Sequence, residues 1–176
     1  MLMVNQLTGF GATGEKAYPE LGAFHLGGYY VGNVIVSATT YAVLLAPKST
    51  GQSPTKLQWK TAQTSSTGAD SLVDGSQNTI DINNASHPAA QWAAALSIGD
   101  YSDWYLPAKD ELNLVWTNRT SLPIGETNNT DDYYWSSTES STTQAWAQIF
   151  SDGTQIQGAK NVSAGIYARA VRRIVA

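Results

Sequence analysis

Two early runs of apolar residues, 29–36 (YYVGNVIV) and 41–46 (YAVLLA), are rich in β-branched and aromatic side chains and predict adjacent strands. Residues 37–40 (SATT) separate them, so a hairpin with a four-residue connection is expected, ending at Pro47. Upstream, residues 1–20 show no period of either kind and are punctuated by Gly9, Gly11, Gly14 and Pro19; they predict an arm or docking segment ahead of a domain over 21–176. From 49 to 84 the chain is polar, with isolated anchors at Leu57, Trp59, Leu72, Val73, Ile80 and Ile82, which reads as a long packed excursion. The period then becomes helical. Ser86 as N-cap and Pro88 in the first turn open a helix to about residue 97, with Ala89, Trp92, Ala93 and Leu96 on one face. A second helix runs from Pro107 to about 117, with the stripe Leu112, Val115 and Trp116 and with Asp110 and Glu111 beside its positive end. After a loop over 122–132, strands are predicted at 133–137, 145–150, 154–157 and 166–175; in the last, Ile166, Ala168 and Ala170 alternate with Tyr167, Arg169 and Val171.

Composition narrows what such a chain can do. Its 176 residues suffice for one domain. Charged residues are 14%, against about 25% in an average soluble protein, and Ser, Thr, Asn and Gln fill almost a third of the chain. There is no Cys, so disulfide frameworks, thiolate nucleophiles and cysteine zinc sites are excluded. A net charge of −4 argues against nucleic acid as a partner, and the apolar runs are strand-sized, so no membrane insertion is expected. The opening Met1–Val4 run lacks the basic flank and long apolar stretch of an export signal. Acidic residues concentrate between Asp70 and Asp152, while Lys160, Arg169, Arg172 and Arg173 lie near the end; the two halves pair within one fold or form an acidic face and a basic docking face.

An ordered series of segments resembles a known family. Gly-Gly-Tyr-Tyr-Val at 27–31 and the run 41–47 are followed by Trp104-Tyr105-Leu106-Pro107 leading to Glu111-Leu112. Then come Tyr134-Trp135-Ser136-Ser137-Thr138-Glu139, Ala145-Trp146, and Arg169-Ala170-Val171-Arg172. From about residue 20 to the end this is similar to the Lcl C-terminal-type domain, a branch of the C-type-lectin-like fold found in bacterial surface proteins, phage virion proteins and the variable proteins of diversity-generating retroelements. The resemblance implies an α+β, C-type-lectin-like single domain with two helices and short twisted antiparallel strands. It also implies a recognition face on the terminal strands and loops. Trp104, Trp135 and Trp146 are expected to fill its core, since aliphatic residues are few.

The candidate chemistry is sparse. Neither the Glu-Pro-Asn or Gln-Pro-Asp loop nor the Trp-Asn-Asp strand of calcium-dependent C-type lectins is present, and the Ser hydroxyls after Trp135 are poor ligands for a hard cation. The loop 126–132 collects oxygen donors but reads as solvated, so no metal and no cofactor are expected. Formylglycine-generating enzymes share the broad fold, yet their reaction uses cysteines. His25 is expected to be packed and His87 to cap a helix or face solvent; no Gly-x-Ser-x-Gly elbow exists, and the neighbours Asp131 and Asp132, or Asp110 and Glu111, point in different directions. What remains is binding. Asn128, Asn129, Asp131, Asp132, Tyr133, Tyr134, Gln144, Gln155 and Gln157 offer amides, carboxylates and rigid aromatic area suited to a glycan or protein surface. The sequence therefore predicts a non-enzymatic structural protein of a phage virion, a tail or decoration protein displaying a C-type-lectin-like domain for attachment to the host surface or decoration of the particle. It would join other virion proteins through residues 1–20 in a symmetric or homo-oligomeric assembly. A bacterial cell-surface adhesin or carbohydrate-binding module is the alternative.

Overall fold

The curvature of two antiparallel sheets, rather than any long helix, organises the chain. The computed structural model describes residues 19–127, 133–162 and 166–176; eighteen of the twenty residues assigned to an arm, 1–18, lie outside the described residues. The first sheet holds β1 (Phe24–His25), β2 (Gly28–Val36), β3 (Thr39–Leu45) and β7 (Val171–Val175) in the order β1-β2-β3-β7. The second holds β4 (Tyr133–Glu139), β5 (Gln144–Ile149) and β6 (Gln155–Ala159) in sequence order. Among the described residues four α-helices accompany them: α1 (Lys48–Gly51), α2 (Gly75–Asp81), α3 (Pro88–Ala94) and α4 (Lys109–Thr117). The class is α+β with antiparallel pairing throughout both sheets, and no helix among the described residues is long and apolar enough to cross a membrane.

The β2–β3 hairpin closes more tightly than its sequence suggests. Val36 pairs with Thr39, leaving a two-residue turn in which Ser37 (φ 48°) and Ala38 (φ 66°) both lie in the left-handed region. That geometry matches the right-handed twist of the strands, but Asn-Gly is the sequence that reaches it without steric cost. Replacing Ser37-Ala38 by Asn-Gly is expected to raise stability by about 1 kcal/mol in chemical denaturation, with an unchanged slope. An unaltered midpoint would place the turn's cost elsewhere.

Neither α1 nor α2 has an apolar period. In α2 the buried residues are Gly75, Asn78 and Thr79, while Ile80 is 65% exposed. Asp74 caps it through Gln77 N–H at 2.9 Å, and the Asn78 amide exchanges hydrogen bonds with Ser71 and reaches Ser137 Oγ. A helix docked by side-chain hydrogen bonds leaves no hydrophobic stripe to read. α3 starts one residue later than expected, with His87 rather than Ser86 as the N-cap residue and Pro88 first in the helix, and it ends at Ala94. α4 begins at Lys109 and carries Leu112 and Val115 inward.

The long final strand is also divided. Only Val171–Val175 forms a ladder, against β3. Residues 166–170 thread between two partners. Leu57 N and Ser53 N donate to Ile166 O and Ala168 O, and Ala170 N donates to Gly51 O on one side. Trp135 N donates to Tyr167 O, and Tyr167 N to Tyr133 O, on the other. This thread joins the two sheets.

Two cores result. One is built on Trp59, Trp104 and Trp135 amid alanines of α3 and β5; the other holds Val31, Leu45, Leu112, Val115, Tyr134 and Phe150 between the first sheet and α4. Trp59 and Trp135 are fully buried, and their indole N–H groups donate to Ser136 O and Leu57 O, each at 2.8 Å. Trp146 does not join them.

Candidate functional site

The β4–β5–β6 sheet sorts the predicted recognition residues by what covers each end of one face. Directly paired residues share a face, so the pairs Tyr134–Gln148, Gln148–Gln155, Trp146–Gln157 and Gln144–Ala159 place all of these on the same side. One end lies under α4. There Gln148 is buried and donates to Asn113 Oδ1 at 2.9 Å, and Tyr134, 1% exposed, stacks edge-on against Phe150 at 4.7 Å. Its hydroxyl donates to Gln52 Oε1 at 2.7 Å. Tyr134 is therefore an interior residue and not a contact residue, because α4 lies over that end of the face.

The other end is open. Gln157 is exposed, and Gln144, Gln155 and Trp146 are half-buried around it. Gln144 Nε2 donates to Gln157 O at 3.4 Å, Gln155 Nε2 donates to Lys109 O at 3.3 Å, and the Lys109 ammonium sits 4.7 Å from the centre of the Trp146 ring. Trp146 thus leaves the core for the surface: the strand period that buries Ala145 and Ala147 turns it outward, where the Lys109 side chain at the start of α4 lies against its ring. The structure brings three of the predicted amides together around an aromatic that the composition argument had placed inside. Tyr133 is half-buried and pairs with Ile149. Asn128, Asn129, Asp131 and Asp132 lie outside the described residues. The chain leading to them is held down, since Arg169, 2% exposed, donates to Glu126 O at 2.8 Å and to Glu126 Oε2 at 2.7 Å, and Lys48 N donates to the same carboxylate.

A second polar constellation ties the long excursion to β4. Lys60 Nζ donates to Thr64 O, Ser65 O and Ser66 Oγ; Lys160 Nζ donates to Thr64 O and Thr142 O and pairs with Glu139 Oε2 at 3.0 Å. Glu139 also accepts from Ser65 Oγ and from Ser66 N. Ser66 Oγ lies 2.8 Å from His87 Nε2, and His87 Nδ1 lies 3.0 Å from Asn84 Oδ1. Because Asn84 Oδ1 can only accept, Nδ1 carries the ring proton and Nε2 accepts from Ser66. Serine, imidazole and an orienting amide are thus in line, as in a nucleophile–base pair.

The tuning is wrong for such chemistry. Burial, and then the Lys60 and Lys160 charges, push the His87 pKa down to about 4, so the imidazole has little proton affinity near neutrality. An amide cannot stabilise an imidazolium as a carboxylate does. Lys60 already donates to Ser66 Oγ. The ring does not cap α3 through its side chain or face solvent; it is 5% exposed and meets Trp59 edge-on at 5.4 Å. His25, expected to be packed, is exposed because β1 is a two-residue edge strand.

Glu111 is the group that sequence reasoning read most incompletely. It does stand in the first turn of α4, but its carboxylate is fully buried. It accepts from Ala108 N at 2.8 Å, from Gly75 N at 3.1 Å and from the Tyr105 hydroxyl at 2.7 Å. Burial outweighs these donors and raises its pKa to about 7, and burial together with Glu111 holds the Tyr105 hydroxyl well above its ordinary range. Gly75 permits the approach: a Cβ there would stand 2.4 Å from both Ala108 N and Glu111 Oε2. The cluster locks α2 to α4. No three His, Cys, Asp or Glu side chains among the described residues stand close enough to hold a metal ion.

A family described as the Lcl C-terminal domain matches residues 50–172. The matched range holds every segment of the sequence resemblance except the opening hairpin. No curated protein matches the chain. Among solved structures, a fimbrial protein from Bacteroides ovatus ATCC 8483 is similar over 74% of this chain and 35% of that one, at 16% identity and a TM-score of 0.46. The chain therefore spans about a third of that protein's length.

Proposed function

This chain belongs to the Lcl C-terminal domain family, and on that premise we propose that it is a non-enzymatic recognition module borne on a bacterial surface, of adhesin type. The observation that carries the reading is the open end of the second sheet, where Gln144, Gln155 and Gln157 surround Trp146 on a rigid β-ladder. Amide donors and acceptors beside an aromatic fit a polar partner with an apolar patch, and a sheet presents them without an ordering cost on binding. The absence of reaction is supported by the mistuned Ser66–His87–Asn84 line, whose geometry is spent on joining the excursion to α3. Of the two carriers weighed from sequence, the virion rested on the lack of an export signal, the absence of cysteines, the Gly-rich arm and the occurrence of similar domains in virion proteins. The bacterial surface likewise accords with where such domains occur, and it does not depend on residues 1–18, which lie outside the described residues.

The test is adhesion. Beads coated with the domain are washed over immobilised mucin and lipopolysaccharide, and the Trp146→Ala, Gln144→Ala, Gln157→Ala triple variant is compared with wild type. Retention is expected to drop at least about tenfold at unchanged melting temperature, as truncation of interface anchors does. Full retention of the triple variant would remove this face from the function.

A further inference from the structure

Beyond the β5–β6 face, a groove of about 360 Å³ opens between residues 65–70 and the β4–β5 turn. Its lining is unusual in lacking any aromatic or large aliphatic side chain: it consists of Ser65, Ser66, Thr67, Gly68, Asp70, Glu139, Ser140 and Ser141. Most small-ligand pockets are apolar with a few polar groups, so this one selects a ligand that is itself polar on every side.

Charge decides which polar ligand. Two carboxylates, Asp70 and Glu139, face the groove, and two ammonium groups stand directly behind it. Lys160 pairs with Glu139 at 3.0 Å, and Lys60 reaches Ser66 Oγ at 3.1 Å. A third carboxylate, Asp81, stands behind Gly68, where a Cβ would lie 2.6 Å from its Oδ2, so carboxylates outnumber the two ammonium groups by one. The groove therefore repels a sulfated or carboxylated ligand, while the directional donors and acceptors remain. Glu139 is fixed by Ser65 Oγ, Ser66 N and Lys160, which pre-orients its oxygens. A fixed carboxylate beside several hydroxyls matches vicinal hydroxyl groups, which donate to the carboxylate and exchange bonds with Ser and Thr.

We propose that this groove is a metal-independent subsite for a neutral polyhydroxylated ligand, held edge-on through its hydroxyls, and separate from the Trp146 face. The proposal extends the recognition reading by naming a ligand class, yet it is tested apart from it. Methyl α-D-glucopyranoside, methyl α-D-mannopyranoside and methyl β-D-galactopyranoside serve as probes in ¹⁵N-resolved NMR titrations with EDTA present, and glucose 6-sulfate is the charged control. At least one neutral probe is expected to give saturable shifts at amides 65–70 and 139–141. The sulfated sugar gives none there, and Asp70→Asn with Ser141→Ala weakens the response at least fivefold while leaving the rest of the spectrum in place. Silence at those amides with all three neutral probes overturns the subsite. So does a response that needs calcium, or one equal for the sulfated sugar. Shifts confined to 144–157 also overturn it while leaving the sheet-face reading standing; bead adhesion lost on the Trp146 variant but not on the groove variant separates the two in the same way.

Discussion

The Glu111→Gln variant is expected to tilt the pH–stability profile of the protein rather than simply shift it. In the folded chain Glu111 is held near pKa 7, against an ordinary 4.5. Between those values the native state binds more protons than the unfolded state, so the Glu111 contribution is fully present below pH 4.5 and is lost as pH rises to 7. The loss is about 3 kcal/mol by linkage. His87 works the other way. Its folded pKa is about 4, against 6.5 unfolded, so its contribution is present above pH 6.5 and is lost as pH falls to 4. The two slopes oppose each other over the same interval. Thermal melts of wild type, Glu111→Gln and His87→Gln from pH 4 to pH 8 separate them. Relative to wild type, Glu111→Gln gains stability as pH rises from 4.5 to 7, and His87→Gln loses it from 4 to 6.5. Parallel curves for wild type and Glu111→Gln would mean that the carboxylate does not titrate in that interval.

A larger single loss is expected at Trp135. It is fully buried, its N–H donates to Leu57 O, and it bears on Gly158, where a Cβ would stand 2.7 Å from the ring. Truncation to Ala removes the filling of the first core at a cost of about 3–5 kcal/mol and leaves the Leu57 carbonyl without its donor. Against the total stability of about 5–15 kcal/mol that domains possess, this leaves little folded protein on warming. Trp146→Ala is the internal contrast: half-buried and outside both cores, it is expected to cost under about 1 kcal/mol. Chemical denaturation ranks the two, and equal losses would contradict the division between interior and surface tryptophans.

Several elements are legible because local chemistry alone selects them. The β2–β3 hairpin follows from two β-branched and aromatic runs, and α4 from its apolar stripe and acidic first turn. The resemblance carried by the Trp104–Leu112 and Tyr134–Glu139 segments survives in the family match. Other features escape for a common reason. α2 is buried by amide and hydroxyl contacts, so hydrophobic periodicity is blind to it. Residues 166–170 alternate as a strand does, but their hydrogen bonds go to two separate segments.

The candidate site divides along the same line. Composition picks out Gln144, Gln155 and Gln157 as contact groups, and the ladder register gathers them on one face. Whether an aromatic on that face is interior or surface depends on what packs over it: Leu112 and Val115 of α4 share a core with Tyr134, whereas Trp146 meets the Lys109 ammonium and stays half-buried. The groove at 65–70 needs Glu139 brought against Ser65 and Ser66 from more than seventy positions away, and Glu111 needs donors from Gly75 and Tyr105. Residue types and spacing by themselves determined the hairpin, two helices and the absence of thiol chemistry, and the resemblance carried by the ordered motifs pointed to the α+β class and the family. The tertiary structure decided which polar groups are buried, which carboxylates and lysines meet, and which tryptophan meets solvent, because burial and charge balance are set by neighbours distant in sequence.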